Sequence, residues 1–180
     1  MPAVWTENGG RNEYINCQFQ GMCDAASAQD TGARSLKVMG TTGENTFTNC
    51  IIGDDTTART VANASLEFAG ATPRNTFTRC IFPFFTSNAG VLGILGTGVD
   101  CMDRWQFFDE CMFINAIKST STQMTVNASL TSASAGGLLL LRNPISIGIT
   151  KYGDATALAQ TYFTGPVPTG ATTGLAIVPA

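Results

Sequence analysis

The sequence predicts an all-β chain wound into a short coil of stacked parallel strands, about four turns high, with an extended C-terminal arm. Three observations predict it: a motif that recurs roughly every thirty residues, apolar residues that alternate with a period of two, and a composition poor in helix formers. Four segments align: Asn12-Glu-Tyr-Ile-Asn-Cys17-Gln-Phe19, Asn45-Thr-Phe-Thr-Asn-Cys50-Ile-Ile52, Asn75-Thr-Phe-Thr-Arg-Cys80-Ile-Phe82 and Gln106-Phe-Phe-Asp-Glu-Cys111-Met-Phe113. The template is an amide, any residue, an aromatic, two turn-like residues, cysteine, any residue and a large apolar residue. The cysteines are 33, 30 and 31 residues apart.

A second element precedes the later copies. Ser35-Leu-Lys-Val-Met-Gly40 matches Ser65-Leu-Glu-Phe-Ala-Gly70, and in both the aromatic of the motif follows seven residues after the glycine. Val91-Leu-Gly-Ile-Leu-Gly96 reads as a third copy, separated from Phe108 by an insertion over Thr97 to Arg104, and Met124-Thr-Val-Asn-Ala-Ser129 as a fourth. Leu36/Val38, Leu66/Phe68 and Leu92/Ile94 each place two apolar residues on one face of a strand. The chain holds 25 threonines, which favour strands over helices.

The spacing inside the motif fixes a corner. Cys80 and Phe82 are two apart and share a strand face. Phe77, three before Cys80, would point the other way on a straight strand. Both are apolar in every copy, so the chain bends between them, at Thr78-Arg79 and at Thr48-Asn49. Asn16 and Asn49 stand at that bend, and asparagine tolerates the left-handed conformation a sharp corner needs.

Stacking such turns at ~4.8 Å lines like residues above like. Cys17, Cys50, Cys80 and Cys111 form one interior column. In-register Cβ atoms ~4.8 Å apart exceed the usual ~3.5–4.5 Å of a disulfide, so free buried thiols are expected. Tyr14, Phe47, Phe77 and Phe108 form a second column, and Phe19, Ile52, Phe82 and Phe113 a third. Asn12, Asn45, Asn75 and Gln106 read as a ladder of side-chain amides bonded from turn to turn, or as solvent-facing turn residues.

The rung Asn-x-Phe-x-Asn-Cys-x-Ile, as at Asn45 to Ile52, resembles the right-handed parallel β-helix proteins, the pectate-lyase-like and phage-tailspike-like group. The resemblance covers roughly residues 12 to 130 and implies fold more than function. The turns are long for that group, which implies loops protruding from the coil. The domain division is then a β-helix over 1–144 and a strand or arm over 145–180, expected to pack on neighbouring subunits or to close the coil as its own cap. No charged residue follows Asp154, and Ile145-Ser-Ile-Gly-Ile149 and Leu175-Ala-Ile-Val178 read as strands. A free arm so apolar would be an aggregation hazard. The N-terminal end, with Trp5 and its neighbours alone to cap it, calls for a covering partner.

Composition narrows function. The net charge is -3 and only 13% of residues are charged, so no nucleic-acid partner is expected. The chain has no histidine, which removes Ser-His-Asp and Cys-His catalysis and histidine-ligated metals. No stretch approaches ~18 consecutive apolar residues, so no membrane span is expected, and Met1-Pro-Ala-Val-Trp5 lacks the basic start and apolar run of a secretory leader. Neither a catalytic residue, a cofactor nor a metal is assigned.

The carboxylate pairs that a polysaccharide-cleaving β-helix would use are Asp54-Asp55, Asp109-Glu110, and Asp100 with Asp103 beside Arg104 and Trp105 in the inserted loop. A glycosidase needs two carboxyls ~5–9.5 Å apart across a cleft, which adjacent strand residues do not offer. Cys23 and Cys101 lie off the thiol column, as buried singles or as ligands or redox groups, and Asn63-Ala-Ser65 and Asn127-Ala-Ser129 read as turn residues rather than glycosylation acceptors.

Resemblance and composition together point to a structural protein of a phage-type virion. The expectation is a capsid decoration or cement protein on the capsid exterior, a homotrimer whose partner is the major capsid protein or another virion protein. A tailspike- or fibre-like module that binds or cleaves surface polysaccharide is the alternative, and a bacterial adhesin or surface-layer domain a third reading.

Overall fold

The computed structural model describes residues 3–21, 31–41, 43–61, 63–86, 92–97, 104–116, 125–127, 138–149, 151–153 and 161–165. These form strands and connecting corners, with no helix among them. The first turn is β1 (Ala3–Glu7), β2 (Glu13–Ile15) and β3 (Gln18–Gln20). Three inner turns follow: β4 (Arg34–Met39), β5 (Thr46–Thr48) and β6 (Ile51–Arg59); β7 (Ala64–Ala69), β8 (Asn75–Thr78) and β9 (Ile81–Thr86); β10 (Leu92–Thr97), β11 (Trp105–Asp109) and β12 (Met112–Asn115). Beyond them lie β13 (Thr125–Asn127), β14 (Leu138–Arg142) and β15 (Ile145–Ile147), then β16 (Lys151–Gly153) and β17 (Thr161–Thr164).

Every third strand falls in the same sheet. The first sheet runs β1-β4-β7-β10-β13-β16, the second β2-β5-β8-β11-β14-β17 and the third β3-β6-β9-β12-β15, and all their pairings are parallel. This is a parallel β-solenoid, the coil that the repeat predicts.

The corner between the second and third sheets lies where the motif placed it. Asn16, Asn49, Arg79, Glu110 and Asn143 all adopt left-handed conformations, with φ between 47° and 55°. A second left-handed corner, between the first and second sheets, holds Arg11, Glu44, Arg74 and Arg104 and carries no asparagine to announce it.

The columns form inside the coil. Phe47 stacks on Tyr14 at 4.8 Å, Phe77 on Phe47 at 4.6 Å and Phe108 on Phe77 at 4.5 Å, each pair within 9° of coplanar. Phe82 and Phe113 stack at 4.9 Å in the neighbouring column. The amide ladder is real and buried. Asn45 Oδ1 accepts from the Asn12 N–H, Asn75 Oδ1 from both the backbone and side-chain nitrogens of Asn45, and Gln106 Oε1 from those of Asn75, at 2.8–3.1 Å. Asn45, Asn75 and Gln106 are at most 1% exposed, so the solvent-facing alternative falls away for these three; Asn12, in the first turn, is exposed and donates its side-chain amide to Glu7.

Cys17, Cys50, Cys80 and Cys111 are free thiols. The thiols of Cys50, Cys80 and Cys111 each donate to the carbonyl of the aromatic one turn earlier: Tyr14, Phe47 and Phe77, at 3.4 Å. Burial pushes the Cys50 thiol up to about 11 and Cys111 well above the ordinary range.

Two expectations change in detail. The third copy of the preceding element pairs two residues out of the expected register: Ile94, not Leu92, lies opposite Leu66, and Gly96 lies opposite Phe68. A shift of two preserves the side-chain face, so Ile94 is still core. The coil also runs past residue 144. Ile145–Ile147, Lys151–Gly153 and Thr161–Thr164 extend the third, first and second sheets, and the boundary placed at 145 falls inside a turn. That turn reads Leu139-Leu-Leu141-Arg-Asn143-Pro144-Ile145, with leucine for the aromatic and proline at the cysteine position. Proline fits because the corner N–H is outside the ladder: the amides of Cys17, Cys50 and Cys80 face the next turn's thiol. Residues 166–180 of the expected arm lie outside the described residues.

Candidate functional site

The three outer faces of the coil differ chemically. On the first sheet, Lys37 and Glu67 stand opposite each other and pair at 3.3 Å, while Arg34 pairs with Glu67 at 2.8 Å. Thr97 adds its hydroxyl to the same carboxylate. On the second sheet the outer positions near the corner run Ile15, Thr48, Thr78, Asp109 and Arg142.

The third sheet is different. The residue after the corner cysteine points outward, and in register these are Gln18, Ile51, Ile81, Met112 and Ile145. Two residues further on, Ile114 and Ile147 make a shorter second outward column, while Pro83, in register with them, is buried. Ile81, Ile145 and Ile147 are 37%, 46% and 53% exposed. Neither column carries a charge, and both lie on one hydrogen-bonded parallel sheet. Such a contiguous apolar patch marks an interaction surface. The motif passed over it, since it left the position after the cysteine unspecified.

One carboxylate of each adjacent pair, Asp54 and Asp109, is otherwise engaged. Asp54 is buried, not solvated: its Oδ1 accepts from the backbone N–H and hydroxyl of Thr56 at 2.9 and 2.7 Å, and Asp55 faces outward beside it. Asp109 holds the Arg142 guanidinium through both oxygens, with Arg142 Nε 2.6 Å from Oδ1, while Glu110 is the exposed corner residue with φ 52°. Neither pair lines either of the two cavities described below. Asp100, Asp103, Cys23 and Cys101 lie outside the described residues; Arg104 is an exposed corner residue and Trp105 begins β11. Asn63 and Ser65 are buried in the coil, as a structural role requires and glycosylation forbids. Among the described residues no three His, Cys, Asp or Glu side chains gather as a metal site.

Two further places stand out. At the corner between the first and second sheets, Glu44 bridges Arg11 at 2.7 Å and Arg74, beside a groove of about 390 Å³ that Thr41 and Pro73 also line. At the mouth of the coil a second cavity of about 390 Å³ lies between Trp5, Tyr14, Cys17, Gln18 and Phe19. In the core, Arg59 is fully buried over the Phe84 ring and donates to Asn63 Oδ1 at 3.3 Å, and burial lowers its pKa to about 10. No motif announced it.

The chain matches no family model, no curated protein and no solved structure. The fold and its outer faces therefore define the class: a parallel β-solenoid with one apolar lateral face.

Proposed function

We propose that the chain is a structural protein of a phage-type virion, a capsid decoration or cement protein that works as a homotrimer through its third-sheet face. The observation that carries this reading is the uncharged outward row Ile51, Ile81, Met112 and Ile145, with Ile114 and Ile147 beside it. Burying three such faces against one another removes apolar area from water, at roughly 25 cal/mol per Å². Closed symmetry then multiplies each contact. The pectate-lyase-like and tailspike-like resemblance of the rung, the low charge and the absence of histidine support a building element over a catalyst.

Light scattering on the eluting full-length chain tests the assembly, with a mass three times that of one chain expected, and co-sedimentation with capsid shells tests the partner. A monodisperse single chain that depolymerises polysaccharide would end the reading. The groove at Arg11, Glu44 and Arg74 favours the second reading, a glycan-binding tailspike or fibre module, because a guanidinium-lined groove suits acidic sugars. Binding of an acidic polysaccharide that Arg74→Ala abolishes would favour that alternative.

A further inference from the structure

The thiol column is the most reactive feature of the coil, and assembly through the third sheet makes no use of it. Cys17, Cys50, Cys80 and Cys111 are all free. Each follows a left-handed residue, at φ 51–55°, and each sulfur donates to the carbonyl two residues before it, at 3.5–3.6 Å. The same backbone and the same contact mean the same rotamer, so neighbouring sulfurs stand one strand spacing apart, at ~4.8 Å. Cys17 lies directly beneath Cys50, since Gln18 pairs with Ile51 and Ile51 N donates to Cys17 O. Sulfurs so spaced are too far apart for an S–S bond of ~2.05 Å. They suit an ion held between them, because two metal–thiolate bonds of ~2.3 Å in line span ~4.6 Å. Cys50, Cys80 and Cys111 are buried, while Cys17 is partly open and lines the mouth cavity of about 390 Å³. An ion entering there meets Cys17 first, with Cys50 behind it.

We propose that Cys17 and Cys50 form a two-coordinate site at the mouth of the coil for a soft monovalent cation of the copper(I) class. Among the described residues no third cysteine, histidine or carboxylate gathers with them into a larger ligand set. That excludes the four ligands of structural zinc and the oxygen shells of calcium and magnesium, and two thiolates alone select a soft ion. On binding, each sulfur forms one bond to the ion and gives up its proton to water. Two protons leave, no electron is transferred, and the bridged pair carries one net negative charge. Burial keeps Cys50 protonated in the free chain, and a bound cation reverses that preference because a coordinated thiol deprotonates. The partly open Cys17 end leaves the residual charge within reach of water. The site lies within one chain and needs no second copy.

The test uses the full-length chain with Cys23→Ser and Cys101→Ser, which leaves the four column thiols as the only cysteines. Copper(I), supplied without oxygen from a competing chelator, and silver(I) alone are titrated in while thiolate-to-metal absorption and melting temperature are followed. One equivalent binds, the melting temperature rises, and X-ray absorption finds two sulfur neighbours. Cys17→Ala and Cys50→Ala each weaken binding by about a hundredfold or more, since even the outer partners of a ligand are worth ~10–100-fold, whereas Cys111→Ala leaves it unchanged. Cys17→Ala removes a partly open side chain, so it keeps the test decisive if Cys50→Ala fails to fold. In the unaltered chain, silver(I) slows amide exchange in β2 and β3 of the first turn. Tight binding that survives Cys17→Ala overturns the proposal, as do three or more sulfur neighbours, or no binding in competition with the chelator.

Discussion

At the scale of single residues, the corner is the most demanding position in the coil. A left-handed conformation costs an ordinary residue roughly 1–2 kcal/mol, and asparagine less. Asn49 adopts it at φ 53° and also accepts from Arg79 Nε at 3.1 Å through its side-chain oxygen. Asn49→Val is expected to lower stability by about 2 kcal/mol, because β-branching makes this region still less accessible, whereas Asn49→Gly stays within about 0.5 kcal/mol; denaturant midpoints compare them. Asn16 and Asn49 could be recognised in advance because their chemistry suits the turn. Arg79, Glu110 and the whole second corner could not, since arginine and glutamate reach that conformation only when neighbouring turns impose it.

The Cys50 thiol and Tyr14 set a pH dependence. Burial raises Cys50 to about 11, and burial together with the hydrogen bond to Glu7 raises Tyr14 to about 12. Both groups are held neutral in the folded chain above their ordinary values of 9 and 10. Their contribution is therefore complete below pH 9 and is lost as pH climbs through 11 and 12. The melting temperature should fall steadily from pH 9 to 12 in a series of buffered scans, and Cys50→Ala should flatten the first part of that decline.

At the scale of elements, the ladders tie each strand to the next. Asn75 accepts two bonds from Asn45 and donates to Gln106 and to the Thr72 carbonyl. Asn75→Leu leaves the buried Asn45 donors unpaired and should cost about 2–4 kcal/mol by chemical denaturation. Phe77→Ala, which opens a gap between Phe47 and Phe108, should cost about 3–5 kcal/mol. A smaller loss for Asn75→Leu than for a surface control such as Thr76→Ala would mean that the ladder is ornamental. The motif was legible wherever a turn kept its amide, aromatic and cysteine. It vanished at Leu139 to Ile145, where leucine and proline fill the same spaces with different chemistry. A register shifted by two at β10 was equally hidden, because alternation reads the same before and after it.

At the scale of the whole molecule, one lateral face is oily and another is ionic. Ile81→Lys with Ile145→Lys should reduce the assembled mass to that of one chain. It should move single-chain stability by less than about 0.5 kcal/mol, since both side chains point away from the core. Retained assembly would show that copies meet elsewhere. The coil could be read from the sequence because like residues recur. The face could also have been read, since Ile51, Ile81, Met112 and Ile145 occupy one slot of the repeat, but a template built from shared identities passes over a slot filled by merely similar residues.

Among the described residues, the strand ladders of each turn run only to the turns on either side of it. Phe77 meets Phe108 as Phe47 meets Phe77, and the bond from Ile81 N to Cys50 O recurs from Met112 N to Cys80 O. Nothing in that grammar counts the turns. Copying residues 49–78 in tandem would thicken the molecule by about 5 Å and leave its two extremities unchanged. Height is thus adjustable in discrete increments, as a mechanic picks a shim, and a gap between larger components can be matched by duplication alone.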